Sequence, residues 1–178
     1  QRIDSGLIRL LRNSFNPVFL VLEPIDWSTS ANILEKIIAY EAVHEITSWE
    51  NLRARLAPED RRCFAFFHPA MPNEPLIFVE VALTTEIPQR IDNVLALNRD
   101  ADAASAATTA VFYSISNCQS GLAGISFGNF LIKRVAGHLR QELPNLSRFV
   151  TLSPVPGLMK WMSAAHPDLA TEFSGVDD

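Results

Sequence analysis

The sequence predicts a mixed α/β fold: a sheet flanked by helices, with at least one strand–helix–strand crossover. Two observations carry that reading. Two apolar, β-rich runs, "RCFAFFH" and "PLIFVEVAL", stand on either side of a proline-containing connector, as the arms of a hairpin do. A third run, "AVFYSIS", leads through a glycine-rich turn into a segment of helical period and then into "RFVTLS". That order makes a β-helix-β unit, whose strands run parallel.

The elements follow in chain order. "NPVFLVLEPIDW" holds a short strand, Val18 to Leu22, closed by Pro24. Ser28 or Ser30 is placed to cap a helix in which Ile33, Leu34, Ile37, Ile38 and Val43 recur at helical spacing. A second helix spans Trp49 to Leu56, stopped by Pro58. The two runs of the hairpin come next, joined by "PAMPNE" as a longer loop. In the second run Ile77, Val79 and Val81 fall on one face, and Phe78, Glu80 and Ala82 on the other. A strand apolar on both faces is expected to be buried on both. Residues 98 to 109, "NRDADAASAATT", read as a surface connector or frayed helix. After "AVFYSIS" and the glycines, Phe127, Phe130, Leu131, Val135 and Leu139 mark one helix face, and Pro144 ends it. "RFVTLS" is a further strand, and "PVPGLMKWM" turns into a last helix. No internal repeat is present.

Composition narrows the function. A chain of 178 residues fits one domain with a buried core. The net charge of −5 excludes a nucleic-acid binder that works through clustered Lys and Arg, while leaving room for a small basic patch. Cys63 and Cys118 form no CxxC and no metal signature, which points to a reducing compartment. No apolar run approaches the roughly 18–20 residues of a membrane span, and the N-terminal residues do not read as a signal peptide. The cytoplasm is therefore the expected location.

Three of the seven glycines fall within residues 121–128, between a strand and a helix. Glycine lets a ligand approach the backbone, and the amides of a helix start, with its dipole, bind anions. The spacing is neither GxxxxGK[ST] nor GxGxxG, so the nucleotide loops of those types are excluded. The segment Gln119-Ser-Gly121-Leu-Ala-Gly124 resembles, in looser form, the Q/R-x-x-G-x-G/A loop of acetyltransferase-like coenzyme A folds. By itself such a turn is open to two readings, plain structure or an anion cradle.

Longer blocks carry a closer resemblance. "LEPIDWSTSANILEKIIAYEAVHEI", "FHPAMPNEPLIFVEVALT", "FYSISNCQSGLAGISFGNFLIKRV" and "TLSPVPGLMKW" together resemble the catalytic domain of the malonyl-CoA decarboxylase family, over about Phe19 to Trp161. The resemblance implies an acetyltransferase-like (GNAT-type) fold with a mixed, mostly antiparallel sheet. It implies a carbon–carbon lyase that converts malonyl-CoA to acetyl-CoA and CO2 through a stabilised enolate, with a place in fatty acid metabolism. Its coenzyme-binding loop falls on Leu122, Ala123, Gly124, Ile125, Ser126, Phe127 and Gly128. Its catalytic serine, in an S-P-[IV]-P-G motif, falls on Ser153, whose hydroxyl is expected to reach the malonyl carboxylate or the nascent enolate. On pattern alone, Ser153 reads as a strand-end cap. No metal and no cofactor is implied, coenzyme A being part of the substrate. Malonyl-CoA is the expected partner, with no nucleic acid or membrane, and the full-length protein is expected to be a homo-oligomer.

Two departures from the family pattern stand out. Some members carry an acidic residue where this chain has Ser126, so no acidic role is assigned there. The family's proton-donating histidine lies in a downstream N-F-H-x-x-N-G-A-like stretch that these 178 residues do not contain. The expected organisation is therefore residues 1–16 as the end of a preceding helical domain or linker, and 17–178 as the N-terminal part of the catalytic domain, without its last strands. Of the histidines, His68 opens the hairpin loop, His138 sits on the polar side of the glycine helix, and His44 and His166 lie at helix ends, where C-terminal capping is their ordinary role. Glu74 and Glu80 stand at opposite ends of the hairpin strand and share no site. Lys133 and Arg134 read as a solvated face, with coenzyme phosphate contact as the other option. Two other functions stay open: an acyl-CoA-dependent N-acyltransferase, which the same fold supports, and an inactive coenzyme-A-binding fragment.

Overall fold

The computed structural model describes residues 19–97, 101–119, 128–155 and 157–168, with the side chains of 101–103 left aside. Five strands among them form one sheet in chain order: β1 (Val21–Ile25), β2 (Arg61–His68), β3 (Met71–Thr84), β4 (Thr109–Asn117) and β5 (Arg148–Thr151). Strands β1 to β4 pair antiparallel, and β4 pairs β5 in parallel. The helix α4 (Gly128–Glu142) makes the crossover between β4 and β5. The expected mixed sheet and a helical crossover are both present.

The central strand β3 is buried on both faces, as its sequence predicts. Ile77, Val79 and Val81 join Ala110 and Phe112 of β4 against Leu131, Val135 and Leu139 of α4. These three α4 residues are fully buried at i, i+4 and i+8, so the glycine segment leads into a helix locked to the sheet. On the opposite face, Phe78 and Phe67 pack with Ile33, Leu34 and Ile37 of α1 (Ala31–Tyr40) and with Leu52 and Leu56 of α2 (Trp49–Leu56). The α2 start is capped by Ser48, whose Oγ accepts the Asn51 N–H at 3.1 Å. A third cluster joins Ala82, Val111 and Tyr113 to Val94 of the short helix α3 (Ile91–Leu95). The last helix, α5 (Leu158–Ala165), follows β5.

Several boundaries differ from the sequence reading. The first strand runs through Pro24 to Ile25, pairing Pro24 with Phe64. Among the described residues β1 pairs with β2 alone, and an edge strand tolerates a residue without an N–H. The "PAMPNE" connector is mostly strand: β3 starts at Met71, and register shifts at Phe66/Phe67 and Phe67/His68 absorb the extra residues. Helix α1 stops at Tyr40, leaving Val43 outside it. α3 has no counterpart in the sequence reading, because five residues between polar connectors carry too little periodicity to be seen. In the alanine-rich connector, residues 101–106 make a 3-10 turn, and Ala104 and Ala107 are buried. Residues 1–18, which include the proposed remnant of a preceding domain, lie outside the described residues.

Candidate active site

The site is built where two parallel strands separate. The β4–β5 pairing runs from Thr109↔Arg148 to Phe112↔Thr151 and closes with the Leu152 N–H donating to the Phe112 carbonyl at 2.9 Å. β4 continues to Asn117, but β5 ends at Thr151. A bulge in β4 falls at the same level: Val81 pairs with Phe112 and Glu80 with Ser114, so Tyr113 is the extra residue. The bulge bends β4 as β5 leaves it. Ser153, exposed and two residues beyond the last strand pair, stands at this parting point.

Ser153 lines a pocket of about 260 Å³ together with His44, Gln89, Ile91, Leu152 and Pro154. Three chain segments converge there: the stretch after α1, the start of α3 and the end of β5. After Pro154, the chain reaches Gly157 at φ 79° immediately before α5. That left-handed backbone suits glycine and lets the chain reverse into the helix. Ser153 thus follows a strand end and precedes the Gly157 turn into α5.

The Glu41 carboxylate fixes the stretch that carries His44. Its Oε1 accepts the backbone N–H groups of Val43 and His44 at 2.9 and 2.8 Å. Ser114 Oγ lies 2.7 and 2.8 Å from the two carboxylate oxygens, and Ser116 Oγ donates to Oε2 at 3.1 Å. Ser116 in turn accepts the Ala42 N–H at 3.1 Å. This ties the chain after α1 to the part of β4 beyond the bulge, and the His44 ring lies 6.3 Å from the Tyr113 ring, centroid to centroid.

Beneath the site lies a buried polar group. Glu80 is fully buried and meets Arg55 Nη1 at 3.0 Å, and Arg55 also donates to the Glu45 carbonyl at 3.1 Å. Burial pushes the Glu80 carboxyl up to about 7; Arg55 pulls it down and the Glu41 carboxylate adds to the rise. A separate cluster anchors the approach to the glycine segment: the Glu74 carboxylate accepts from Lys36 Nζ, from the Tyr40 hydroxyl at 2.9 Å and from Gln119 Nε2 at 3.0 Å. The bond from Lys36 leads the effects that hold Glu74 below the usual carboxylate range. Glu74 and Glu80 belong to different clusters, as their spacing predicts.

Of the residues the sequence singles out, Leu122, Ala123, Gly124, Ile125, Ser126 and Phe127 lie outside the described residues. Gly128 opens α4, and a Cβ there would meet Ile115 Cγ2 at 3.8 Å, an ordinary contact. Lys133 and Arg134 are exposed on α4. His138 is half exposed, packs edge-on against Phe64 and lies 3.9 Å from Glu142. His68 Nδ1 accepts the Ala70 N–H at 3.1 Å inside the tight turn between β2 and β3. His166 stands at the C-terminal cap of α5. His44 departs from expectation: it lies beyond the end of α1 and shares a pocket with Ser153. Gln89 carried no signal at all, since it sits in an irregular segment whose place is set by the fold. Cys63 and Cys118 are both buried free thiols, and no described helix is long and apolar enough to cross a membrane.

The family model described as malonyl-CoA decarboxylase C-terminal domain matches residues 18–176. The mitochondrial malonyl-CoA decarboxylase of Anser anser anser is 42% identical over 161 residues, 89% of this chain and 32% of that protein. The crystal structure of malonyl-CoA decarboxylase from Agrobacterium vitis superposes with a TM-score of 0.88 at 60% identity, covering 96% of this chain and 42% of that one. The ribosomal-protein-alanine N-acetyltransferase of Brucella melitensis biovar Abortus 2308 is 13% identical, with a TM-score of 0.51 over 78% of this chain and 84% of its own, and shares the fold alone. The chain spans about a third of the length of the curated relatives it matches.

Proposed function

The chain belongs to the malonyl-CoA decarboxylase family, and from that premise we propose that it is part of an enzyme converting malonyl-CoA to acetyl-CoA and CO2. The observation that carries the reading is the position of Ser153, at the point where β5 leaves β4 and beside a pocket sized for a small acyl group. In this proposal the thioester lies in the opening between the strands. The coenzyme's diphosphate rests on the amides of residues 122–128, ahead of α4.

Decarboxylation breaks the bond between C2 and the free carboxyl carbon. The electron pair moves into the thioester, giving an enolate and CO2, and C2 then takes a proton to yield acetyl-CoA. A fixed donor aimed at the oxygen where charge develops is often the largest contribution to such a step. The Ser153 hydroxyl fills that role, and the proton comes from the histidine of the family's N-F-H-type stretch. No step calls for a metal. A place in fatty acid metabolism, self-association of the full-length protein and a cytoplasmic location belong to the same proposal.

The test is to incubate the full-length protein with malonyl-CoA, with and without an amine acceptor. Stoichiometric CO2 and acetyl-CoA without any amine are expected. Acyl transfer that strictly requires the amine, with no CO2 released in its absence, would show an N-acyltransferase instead.

A further inference from the structure

We propose that His44 and Gln89 form the subsite that receives the free carboxylate of the malonyl group, opposite Ser153 at the thioester end. The inference rests on the decarboxylase reading and adds a specificity determinant to it. An anionic acyl terminus entering a largely apolar pocket needs hydrogen-bond donors. Among the described lining residues, Ile91, Leu152 and Pro154 supply the apolar wall, and the polar side chains are His44, Gln89 and Ser153. With Ser153 assigned to the thioester oxygen, the imidazole and the Gln89 amide remain as donors for the carboxylate.

His44 is also held for such a task. Its backbone N–H is bound by Glu41, which Ser114 and Ser116 anchor to β4, and its ring lies against Tyr113. It is half-buried and lines the pocket. The arrangement suits CO2 loss. Hydrogen-bond donors on an apolar wall orient the carboxylate for departure.

The experiment compares two competitive inhibitors of the full-length protein: acetyl-CoA, and sulfoacetyl-CoA, which carries a fixed anion in place of the carboxylate and cannot lose CO2. The wild type is expected to favour the sulfonate at least tenfold. His44→Phe keeps a ring against Tyr113 and removes the donors. Gln89→Ala changes an exposed side chain, so folding is not at stake. Each is expected to reduce the preference severalfold while the acetyl-CoA constant moves less than threefold. An undiminished preference in both variants, with malonyl-CoA still turned over by the wild type, overturns the subsite alone. A wild type that binds neither thioester overturns the subsite and the decarboxylase reading together.

Discussion

Ser114 and Glu41, 73 residues apart, meet with the serine hydroxyl 2.7 Å from one carboxylate oxygen and 2.8 Å from the other. The contact joins the chain leaving α1 to the first residue past the β4 bulge, and so holds the stretch that carries His44 against the sheet. Replacing Glu41 with Ala leaves the Val43 and His44 amides and two β4 hydroxyls without their acceptor. Glu41→Ala is expected to lower stability by about 1–3 kcal/mol, and Glu41→Gln, which keeps one acceptor oxygen, by less. Chemical melts of both variants check the order. Equal stability of the wild type and Glu41→Ala would mean that the carboxylate does not anchor the loop.

Ser153 is exposed, so its loss should leave the fold intact, with a stability change within about 0.5 kcal/mol. Its chemical effect should be large. Removing one donor to a developing oxyanion lowers kcat by roughly 100- to 1000-fold, and Ser153→Ala is expected to do so with KM within about threefold of the wild type. Steady-state kinetics on malonyl-CoA in the full-length protein read both numbers. A rise in KM with kcat untouched would make Ser153 a binding residue only.

Glu80 makes stability depend on pH in a stated direction. Folded, its carboxyl holds a proton up to about 7; its ordinary value is 4.5. Between those values the folded state binds more protons than the unfolded chain, so stability from this group falls as pH rises. The contribution is fully present below 4.5 and lost by the time the pH passes 7. Glu80→Gln should gain on the wild type as pH rises from 5 to 7.5. Denaturation of both proteins across that range checks the slope, and parallel curves would show that Glu80 titrates normally.

Leu131 is fully buried between α4 and the sheet. Leu131→Ala is expected to cost about 2–5 kcal/mol through lost burial and the cavity left behind. Because α4 follows the glycine segment directly, the same variant should weaken coenzyme A binding more than an exposed α4 change such as Lys133→Ala. Calorimetric titration with coenzyme A separates the two. Identical affinities in both variants would disconnect the seat of α4 from the ligand.

Much of this architecture was legible in the residues. The two-sided apolarity of β3 announced a central strand, and Leu131, Val135 and Leu139 announced the packed face of α4. Ser153 was singled out by the family resemblance alone, since a serine after a short strand reads locally as a strand-end cap. The edge strand through Pro24 and the strand residues of "PAMPNE" were hidden, since proline argues against a strand unless its place at an edge or bulge is known. His44 and Gln89 were hidden for a different reason. Each gains its position from contacts far along the chain, His44 through Glu41 and Ser114, and Gln89 through the pocket formed with Leu152 and Ser153. Local spacing holds no trace of such meetings.

The most direct test of the central claim is a crystal structure of the full-length protein with sulfoacetyl-CoA bound. The thioester should lie in the opening between β4 and β5 beside Ser153, with its oxygen within hydrogen-bond distance of the Ser153 hydroxyl and the diphosphate on residues 122–128. A coenzyme docked elsewhere on the sheet, or a Ser153 hydroxyl out of reach of the acyl group, would contradict it.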